Sequence, residues 1–125
     1  MVRRYEQSDF DEVNSWAKQW GSTYEPDLLP PTGFIVPGIA CYFLYTTDSR
    51  VCFMENLISN KEVNYTIRNE AIQAITETML LYATERNLRI AYACTNNPAV
   101  ITRAMTYGVN VTLGYVLLQK ELNKS

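Results

Sequence analysis

The sequence predicts a mixed α+β (α/β) fold, in which a central mixed sheet of six to seven strands carries helices on both faces. Segments with strand-like and helix-like periodicity follow one another in the order β-α-β-β-β-α-β-α-β. The turn sequence Thr47-Asp48-Ser49-Arg50 joins two apolar, β-prone segments, which indicates an antiparallel hairpin. The long helical segment that follows predicts a parallel crossover to the next strand. With 125 residues, the chain is expected to form a single domain over residues 1–125.

The first half of the chain is predicted to contain one helix and four short strands. A strand over residues 1–5 precedes a helix over residues 8–20, for which Ser8 is the expected N-cap and Gly21 the expected C-cap. Residues 22–31 contain three prolines and should form an irregular connection. Strands are expected over residues 33–37, 39–46 and 51–59. One apolar face of the helix comprises Phe10, Val13, Trp16, Ala17 and Trp20.

The second half is predicted to contain two helices and at least two strands. Residues 65–87 show an apolar face at three- and four-residue spacing, and Asn64 or Thr66 could cap that helix. Residues 88–94 read as a buried strand. Asn97, followed by Pro98 at the first helical position, should begin another helix that ends near Gly108. Residues 109–122 should supply the final strand or strand pair.

Composition excludes several classes of function. The chain contains no histidine, which removes histidine-based nucleophile pairs and histidine metal sites, and no metal ligand set is expected. The net charge of −2 and the absence of a basic stripe argue against nucleic-acid binding. Three cysteines without a C-x-x-C pattern, no signal peptide and no bilayer-length apolar run predict a cytoplasmic protein without membrane contact.

Several short motifs resemble those of the GNAT-type acyl-CoA-dependent acetyltransferase superfamily. Ser8-Asp9-Phe10 is similar to the family's entry to the first helix, and Phe53-Met54-Glu55-Asn56-Leu57-Ile58 is similar to its fourth strand. Asn97-Pro98-Ala99 lies in a segment similar to the start of the fourth helix, and Tyr107-Gly108-Val109 matches its end. The small size and the segment LPPTGFIVPGIACYFLYTTDS also resemble short GNAT-like proteins of tailed bacteriophages.

The resemblance implies an acetyl-CoA site along the fourth strand and the helix that follows it. In the family a bulge splays the fourth strand from the fifth, and the pantetheine arm pairs with the exposed backbone as an added strand would. The pyrophosphate binds the amide groups at the N-terminus of the next helix. The implied pantetheine residues are Leu57, Ile58 and Ser59. The implied cofactor residues on the helices are Ile67, Arg68, Asn69, Glu70, Ala71 and Asn97.

The chain departs from the family pattern in its phosphate-binding loop. No glycine occurs between Gly38 and Gly108, and Ile67 and Asn69 stand where glycines are usual. Asparagine tolerates the left-handed region, so Asn60, Asn64 and Asn69 could shape the loop instead. Arg68 could contact a phosphate directly, or it could face solvent on the first turn of the helix.

Glu55 is the candidate catalytic residue, because relatives carry a strand-four glutamate that serves as the base for the acceptor amine. If Phe53 and Leu57 face one side of the strand, alternation puts Glu55 on that side too, among apolar neighbours that would raise its pKa. The other interpretation is a carboxylate on a solvated face or paired with a cation. The usual acid is a tyrosine four residues before the helix-ending glycine, where this chain has Ala104, and Tyr107 is offset by most of a turn.

Two functions follow from these features. One is an acetyl-CoA-dependent N-acetyltransferase that acts on an unknown amine or protein acceptor. The other is a catalytically inactive GNAT-like fold that binds protein, as a phage accessory or virion-associated component. A homodimer through the last strands is compatible with both. If the protein is phage-encoded, its location would be the host cytoplasm or the virion.

Overall fold

The computed structural model describes residues 1–95, 97–114 and 117–122. The chain forms two compact units, Met1–Cys94 and Thr95–Ser125. In the first unit, a mixed sheet is antiparallel from its first strand to its fourth, and the fourth and fifth strands pair in parallel. The strands follow chain order and are β1 (Arg3–Arg4), β2 (Gly33–Val36), β3 (Ala40–Thr46), β4 (Val51–Ser59) and β5 (Ile90–Tyr92).

The sheet separates two apolar cores, each covered by one helix. Helix α1 (Phe10–Gln19) covers one face and helix α2 (Tyr65–Glu85) covers the other. Neighbouring residues of β2 show the alternation: Phe34 packs into the core beneath α2, while Ile35 packs into the core beneath α1. The predicted arrangement of a mixed sheet with helices on both faces is therefore confirmed for the first unit.

Asp9, rather than Ser8, fixes the start of α1. A short 3₁₀ turn over Gln7–Asp9 precedes the helix, so the predicted N-cap lies one residue too early. The Asp9 carboxylate receives two hydrogen bonds from the Arg3 guanidinium, at 2.8 and 2.9 Å, and a third from the amide of Glu6 at 2.8 Å. These bonds join the first strand to the first helix.

Both long helices of the first unit end in the same hydrogen-bond pattern. At the end of α1, the Ser22 amide donates to the carbonyl of Ala17, and Gly21 adopts a φ of +80°. At the end of α2, the Leu88 amide donates to the carbonyl of Ala83, and Asn87 takes the left-handed position with a φ of +61°. Asparagine replaces glycine there because its short polar side chain tolerates the left-handed region.

The sheet has fewer strands than the sequence predicts. Within the described part of the chain there are five strands, so the prediction of six to seven is wrong. Residues 109–114 and 117–122 form no strand, and the rest of the predicted final strand, Tyr115 and Val116, lies outside the described residues. Alternating apolar residues indicate a segment that can form a strand. The strand forms only where the edge of another strand is available for backbone hydrogen bonds.

The fifth strand is shorter and more exposed than predicted. Residues 88–94 were expected to form a buried strand, yet β5 covers only Ile90–Tyr92 and all three of its residues are exposed. Its sole strand neighbour among the described residues is β4, so it is an edge strand there. Burial of an apolar strand requires a covering layer as well as an apolar sequence.

The second unit contains one helix among its described residues, α3 (Pro98–Met105). Asn97 caps this helix as predicted, because its side-chain oxygen accepts a hydrogen bond from the amide of Ala99 at 2.9 Å. No helix in the described ranges is long and apolar enough to cross a membrane. The same ranges contain no cluster of cysteine, aspartate and glutamate side chains suited to a metal ion.

We expect Asp9→Asn to lower the free energy of unfolding by about 1.5–3 kcal/mol, because it removes charge-assisted bonds at a side chain only 10% exposed. The Arg3 guanidinium holds the pKa of Asp9 below its usual value. The ionised carboxylate therefore contributes its full stability at pH values above the pKa that Asp9 has in the unfolded chain. That contribution is lost as the pH falls through the lower pKa that Asp9 has in the folded protein. Urea unfolding at neutral and acidic pH measures both effects.

An Asp9→Asn variant that is as stable as the wild type at neutral pH would contradict this account of the first helix. Asp11→Asn is the matched control, since Asp11 is an exposed aspartate in the first turn of the same helix. That change should alter the stability by less than about 0.5–1 kcal/mol.

Candidate active site

A bulge in β4 organises the candidate site. Phe43 of β3 lies opposite Glu55, and Cys41 lies opposite Ile58, so three steps along β4 match two steps along β3. The extra residue is accommodated at Asn56, which has a φ of +60°. Left-handed conformation in one residue of the longer strand is a known form of β-bulge and is usually supplied by glycine.

The side chain of Asn56 secures the bulge. Its amide nitrogen donates a hydrogen bond of 2.6 Å to the hydroxyl of Tyr45, and that hydroxyl donates in turn to the carbonyl of Leu28 at 3.3 Å. An asparagine inside a predicted β-strand is a usable signal of such a bulge, because asparagine is uncommon there. Tyr45 and Asn56 were nevertheless not among the predicted site residues.

The bulge reverses the alternation of side chains along β4. Cys52, Met54 and Leu57 pack on the α2 side of the sheet, whereas Ile58 packs on the α1 side. The expectation that Leu57 shares a face with Phe53 and Glu55 is therefore wrong, because the extra residue shifts the period-2 pattern by one position. Phe53 and Glu55 do share a face with each other.

Glu55 lines an open depression of about 360 Å³ together with Tyr45, Phe53 and Asn56. Burial against these neighbours raises the pKa of Glu55 above its usual value, and a hydrogen bond of 3.2 Å from the amide of Cys94 to its Oε1 offsets part of that rise. A half-buried carboxylate with a raised pKa is suited to accept a proton. No ion pair to Glu55 is present among the described residues.

The parallel ladder between β4 and β5 ends at Phe53, before the bulge. Only Val51, Cys52 and Phe53 pair with β5, in register with Ile90, Ala91 and Tyr92. Beyond Phe53, the second half of β4 pairs with β3 on one side and with no described strand on the other. The edge of Leu57, Ile58 and Ser59 that faces away from β3 is therefore not used in a strand ladder.

The loop between β4 and α2 is held by its own side chains. Asn60 accepts hydrogen bonds at its Oδ1 from the side chain of Gln19 and the amide of Glu62, and its side-chain nitrogen donates to the carbonyl of Gly38. Asn64 caps α2 by accepting from the amide of Thr66 at 2.8 Å. Neither asparagine has a positive φ, so both shape the loop through side-chain bonds rather than through left-handed backbone.

The first turn of α2 leaves two amides open. Among the described residues, the amides of Tyr65 and Ile67 have no hydrogen-bond acceptor, as expected at a helix N-terminus. The amide of Arg68 donates to the carbonyl of Asn64. The amides of the next three predicted cofactor residues lie inside the helix, where they donate to carbonyls four residues earlier. Those residues are Asn69, Glu70 and Ala71.

Arg68 is directed toward the loop rather than outward. Its Nε donates to the carbonyl of Val63 at 3.0 Å, and its Nη1 lies 3.5 Å from the hydroxyl of Ser59. Its guanidinium carbon also lies 5.7 Å from the centres of the Trp20 and Tyr65 rings. The structure thus brings Arg68 close to Ser59, whereas Ala71 is buried in the core and Asn97 caps α3 in the second unit.

Sequence comparison identifies no relative: no family model matches the chain, and no curated protein is significantly similar in sequence. Solved structures are similar at low identity. The ribosomal-protein-S18-alanine N-acetyltransferase from Escherichia coli has a TM-score of 0.73 and 11% identity, over 90% of this chain and 79% of that chain.

Two structures with bound small molecules are also similar. An aminoglycoside acetyltransferase from an uncultured soil metagenomic sample, in complex with sisomicin, has a TM-score of 0.69 and 9% identity, over 98% of this chain and 96% of that chain. Rv2747 from Mycobacterium tuberculosis, in complex with CoA, has a TM-score of 0.63 and 16% identity, over 84% of this chain and 70% of that chain.

We expect Asn56→Ala to destabilise the protein by about 1–2 kcal/mol more than Asn56→Gly. Both variants lose the bond to Tyr45, so their difference isolates the left-handed backbone of the bulge, which glycine adopts without strain and alanine does not. Thermal and urea unfolding of the two variants measure the difference. Equal stabilities would mean that Asn56 does not hold a left-handed conformation in solution.

These structural neighbours cover 84% to 98% of this chain at TM-scores of 0.63 to 0.73. At identities this low, the likeness concerns the fold. The chain therefore has the fold of the GNAT-type acetyltransferases.

Proposed function

We propose that the protein is an N-acetyltransferase that uses acetyl-CoA and acts on a primary amine. The observation that carries this proposal is the unpaired edge of β4 beyond the bulge at Asn56, which leads directly to the N-terminus of α2. An extended pantetheine arm carries two amide groups and could pair with that edge as an additional strand. The CoA complex of the structural neighbour Rv2747 supports the choice of cofactor.

The pyrophosphate would bind at the first turn of α2. The open amides of Tyr65 and Ile67 point out of a helix N-terminus, where the helix dipole favours negative charge. Arg68 in the first turn of α2 and Lys61 in the loop before it would supply positive charge to a pyrophosphate bound there. The loop needs no glycine for this contact, because both open amides belong to regular helix and neither requires a positive φ.

Glu55 would act as the general base. Its carboxylate lies in the depression beside Tyr45 and Phe53, at the end of the unpaired edge where the thioester would be placed. It would accept a proton from the ammonium group of the acceptor, directly or through water, and the free amine would then attack the acetyl carbonyl. The departing thiolate is a good leaving group, so solvent can protonate it even though Ala104 replaces the usual tyrosine.

The acceptor belongs to the class of primary amines. Structural neighbours act on a ribosomal protein alanine or bind an aminoglycoside, which shows that this fold accommodates both proteins and small molecules. An open depression lined by one carboxylate and two aromatic rings would suit a cationic amine. A phage origin, a cytoplasmic or virion location and a homodimer remain predictions from the sequence.

A second candidate function is a non-catalytic protein-binding role for the same fold. The observation in its favour is that the β4–α2 loop satisfies most of its own amides. Those of Lys61, Glu62, Val63 and Thr66 already donate to acceptors within the chain. A loop of this kind offers fewer donors to a pyrophosphate than a glycine-rich loop does.

We expect acetyl-CoA to bind about tenfold more weakly to Tyr65→Pro than to Tyr65→Ala, because proline removes one amide donor to a charged phosphate. Proline is tolerated at the first position of a helix, and Asn64 already has the extended ψ of 139° that a residue before proline prefers. The alanine variant is the matched control, since it also loses the ring but keeps the amide. Isothermal titration calorimetry measures both affinities.

Equal affinities of the two Tyr65 variants would show that the helix N-terminus does not hold the pyrophosphate. If the wild type releases no heat with acetyl-CoA at about 1 mM, a concentration at which even weak binding is detectable, the enzymatic function is contradicted and the protein-binding role is favoured.

We expect Glu55→Gln to lower the rate of acetyl transfer by about a hundredfold or more, since general base catalysis contributes at least that much. CoA release can be followed with a thiol reagent for a polyamine, an aminoglycoside and an alanyl peptide as acceptors. The wild-type rate should rise with pH through the pKa of Glu55, which lies above the ordinary glutamate value, because only the carboxylate form can accept a proton. The rate of acetyl transfer by Glu55→Gln should not rise with pH over that range.

The matched control is Glu77→Gln, which changes an exposed glutamate on α2 that is not part of the depression. It should transfer acetyl groups at the wild-type rate. An unchanged rate and pH profile in Glu55→Gln would show that Glu55 is not the base.

A further inference from the structure

The Trp20 side chain contacts the edge of β4 from the end of α1. Trp20 is the last residue before the left-handed Gly21, so the hydrogen-bond pattern that ends α1 fixes its backbone. Its indole Nε1 donates a hydrogen bond of 2.9 Å to the carbonyl of Ser59. The residue was predicted only as part of the apolar face of the helix, yet Trp20 is 46% exposed.

The carbonyl of Ser59 lies on the edge that the proposed pantetheine arm would use. Across the β3–β4 ladder, the amide of Asn60 donates to the carbonyl of Ile39 at 2.8 Å. Backbone groups of an antiparallel strand point alternately toward and away from the partner strand, so those of Ser59, which lies opposite Ala40, point away from β3. Trp20 therefore occupies a backbone acceptor on the unpaired edge.

Two cations hold the indole ring in this position. The Lys61 ammonium lies 4.8 Å from the ring centre, and the Arg68 guanidinium carbon lies 5.7 Å from it. Such contacts contribute most where the cation is partly removed from water, as Arg68 is. Lys61 belongs to the loop that precedes α2 and Arg68 to the first turn of that helix, so the ring and a bound pyrophosphate would compete for the same charges.

We propose that Trp20 is a gate on the cofactor site, which closes the β4 edge in the free protein and is displaced when acyl-CoA binds. The inference rests on the proposed function. A pantetheine amide would replace the indole N–H as the donor to Ser59, and the phosphates would take over the charges of Lys61 and Arg68. The carbonyl of Ser59 accepts one hydrogen bond before and after the exchange. The affinity of the wild type for CoA is therefore lowered by the free energy needed to displace the indole.

The affinity for CoA in four proteins tests the gate. We expect Trp20→Ala to bind CoA about threefold to tenfold more tightly than the wild type, the range that corresponds to one net hydrogen bond. Trp20→Phe keeps a ring over the cations but has no donor, so it should gain about threefold. Asn14→Ala is the matched control. It loosens the connection that follows α1 by removing the bond that Asn14 accepts from the amide of Tyr24, without touching Ser59 or the β4–α2 loop, and should bind like the wild type.

Each outcome separates the gate from the function on which it rests. Equal CoA binding by the wild type and both Trp20 variants overturns the gate and leaves the enzymatic proposal intact. A gain in Asn14→Ala as large as that in Trp20→Ala also overturns the gate, because general loosening would then explain the effect. If neither the wild type nor Trp20→Ala binds CoA, both proposals fail, since opening the edge did not create a site.

The indole proton of Trp20 provides a direct readout in an NMR spectrum of the wild type. It can be assigned by its absence in Trp20→Phe, and the indole proton of the buried Trp16 serves as an internal reference. On addition of CoA, the Trp20 signal should shift and exchange faster with solvent, because its bond to Ser59 breaks. An unchanged Trp20 signal at saturating CoA would overturn the gate.

Discussion

The left-handed backbone of Asn56 is the constraint on which the candidate site depends. One extra residue in β4 moves Leu57 to the α2 face while Glu55 stays on the α1 face beside Phe53. The same residue marks the region where pairing with β5 stops, which leaves one edge of the strand available. A strand without the bulge would continue its regular alternation and could continue its parallel ladder with β5.

At two points in this chain, asparagine adopts the left-handed backbone conformation that glycine usually supplies. Asn56 and Asn87 hold positive φ angles in the long stretch that contains no glycine, and each has a side-chain partner, Tyr45 and Arg50 respectively. A side-chain bond offsets part of the strain that a residue with a Cβ incurs in the left-handed region. The result is a fold of acetyltransferase type that lacks the usual glycines, with a loop held by side-chain bonds from Asn60 and Asn64.

Local signals predicted the elements of the first unit well. The bounds of β4 agree with the structure, the hairpin turn at residues 47–50 is present, and Asn64 caps the long helix. Prediction was wrong where an element depends on distant partners. The strand over residues 88–94 was expected to be buried, but β5 is a short exposed edge, and no strand forms in the described residues after it. The face of Leu57 was also wrong, because strand alternation cannot reveal an inserted residue.

The sequence by itself determined the order of the elements from β1 to α3, the cap of α3, Asn64 as one of two candidate caps of α2, the absence of histidine chemistry and the placement of Glu55 on the fourth strand. Only the tertiary structure decided which backbone groups remain open. Trp20 and Ser59 are 39 residues apart, and Gln19 and Lys61 are 42 apart, yet their contacts determine how much of the edge and of the loop a cofactor could reach. Such contacts arise when helices pack on a sheet, so neither periodicity nor local propensity contains them.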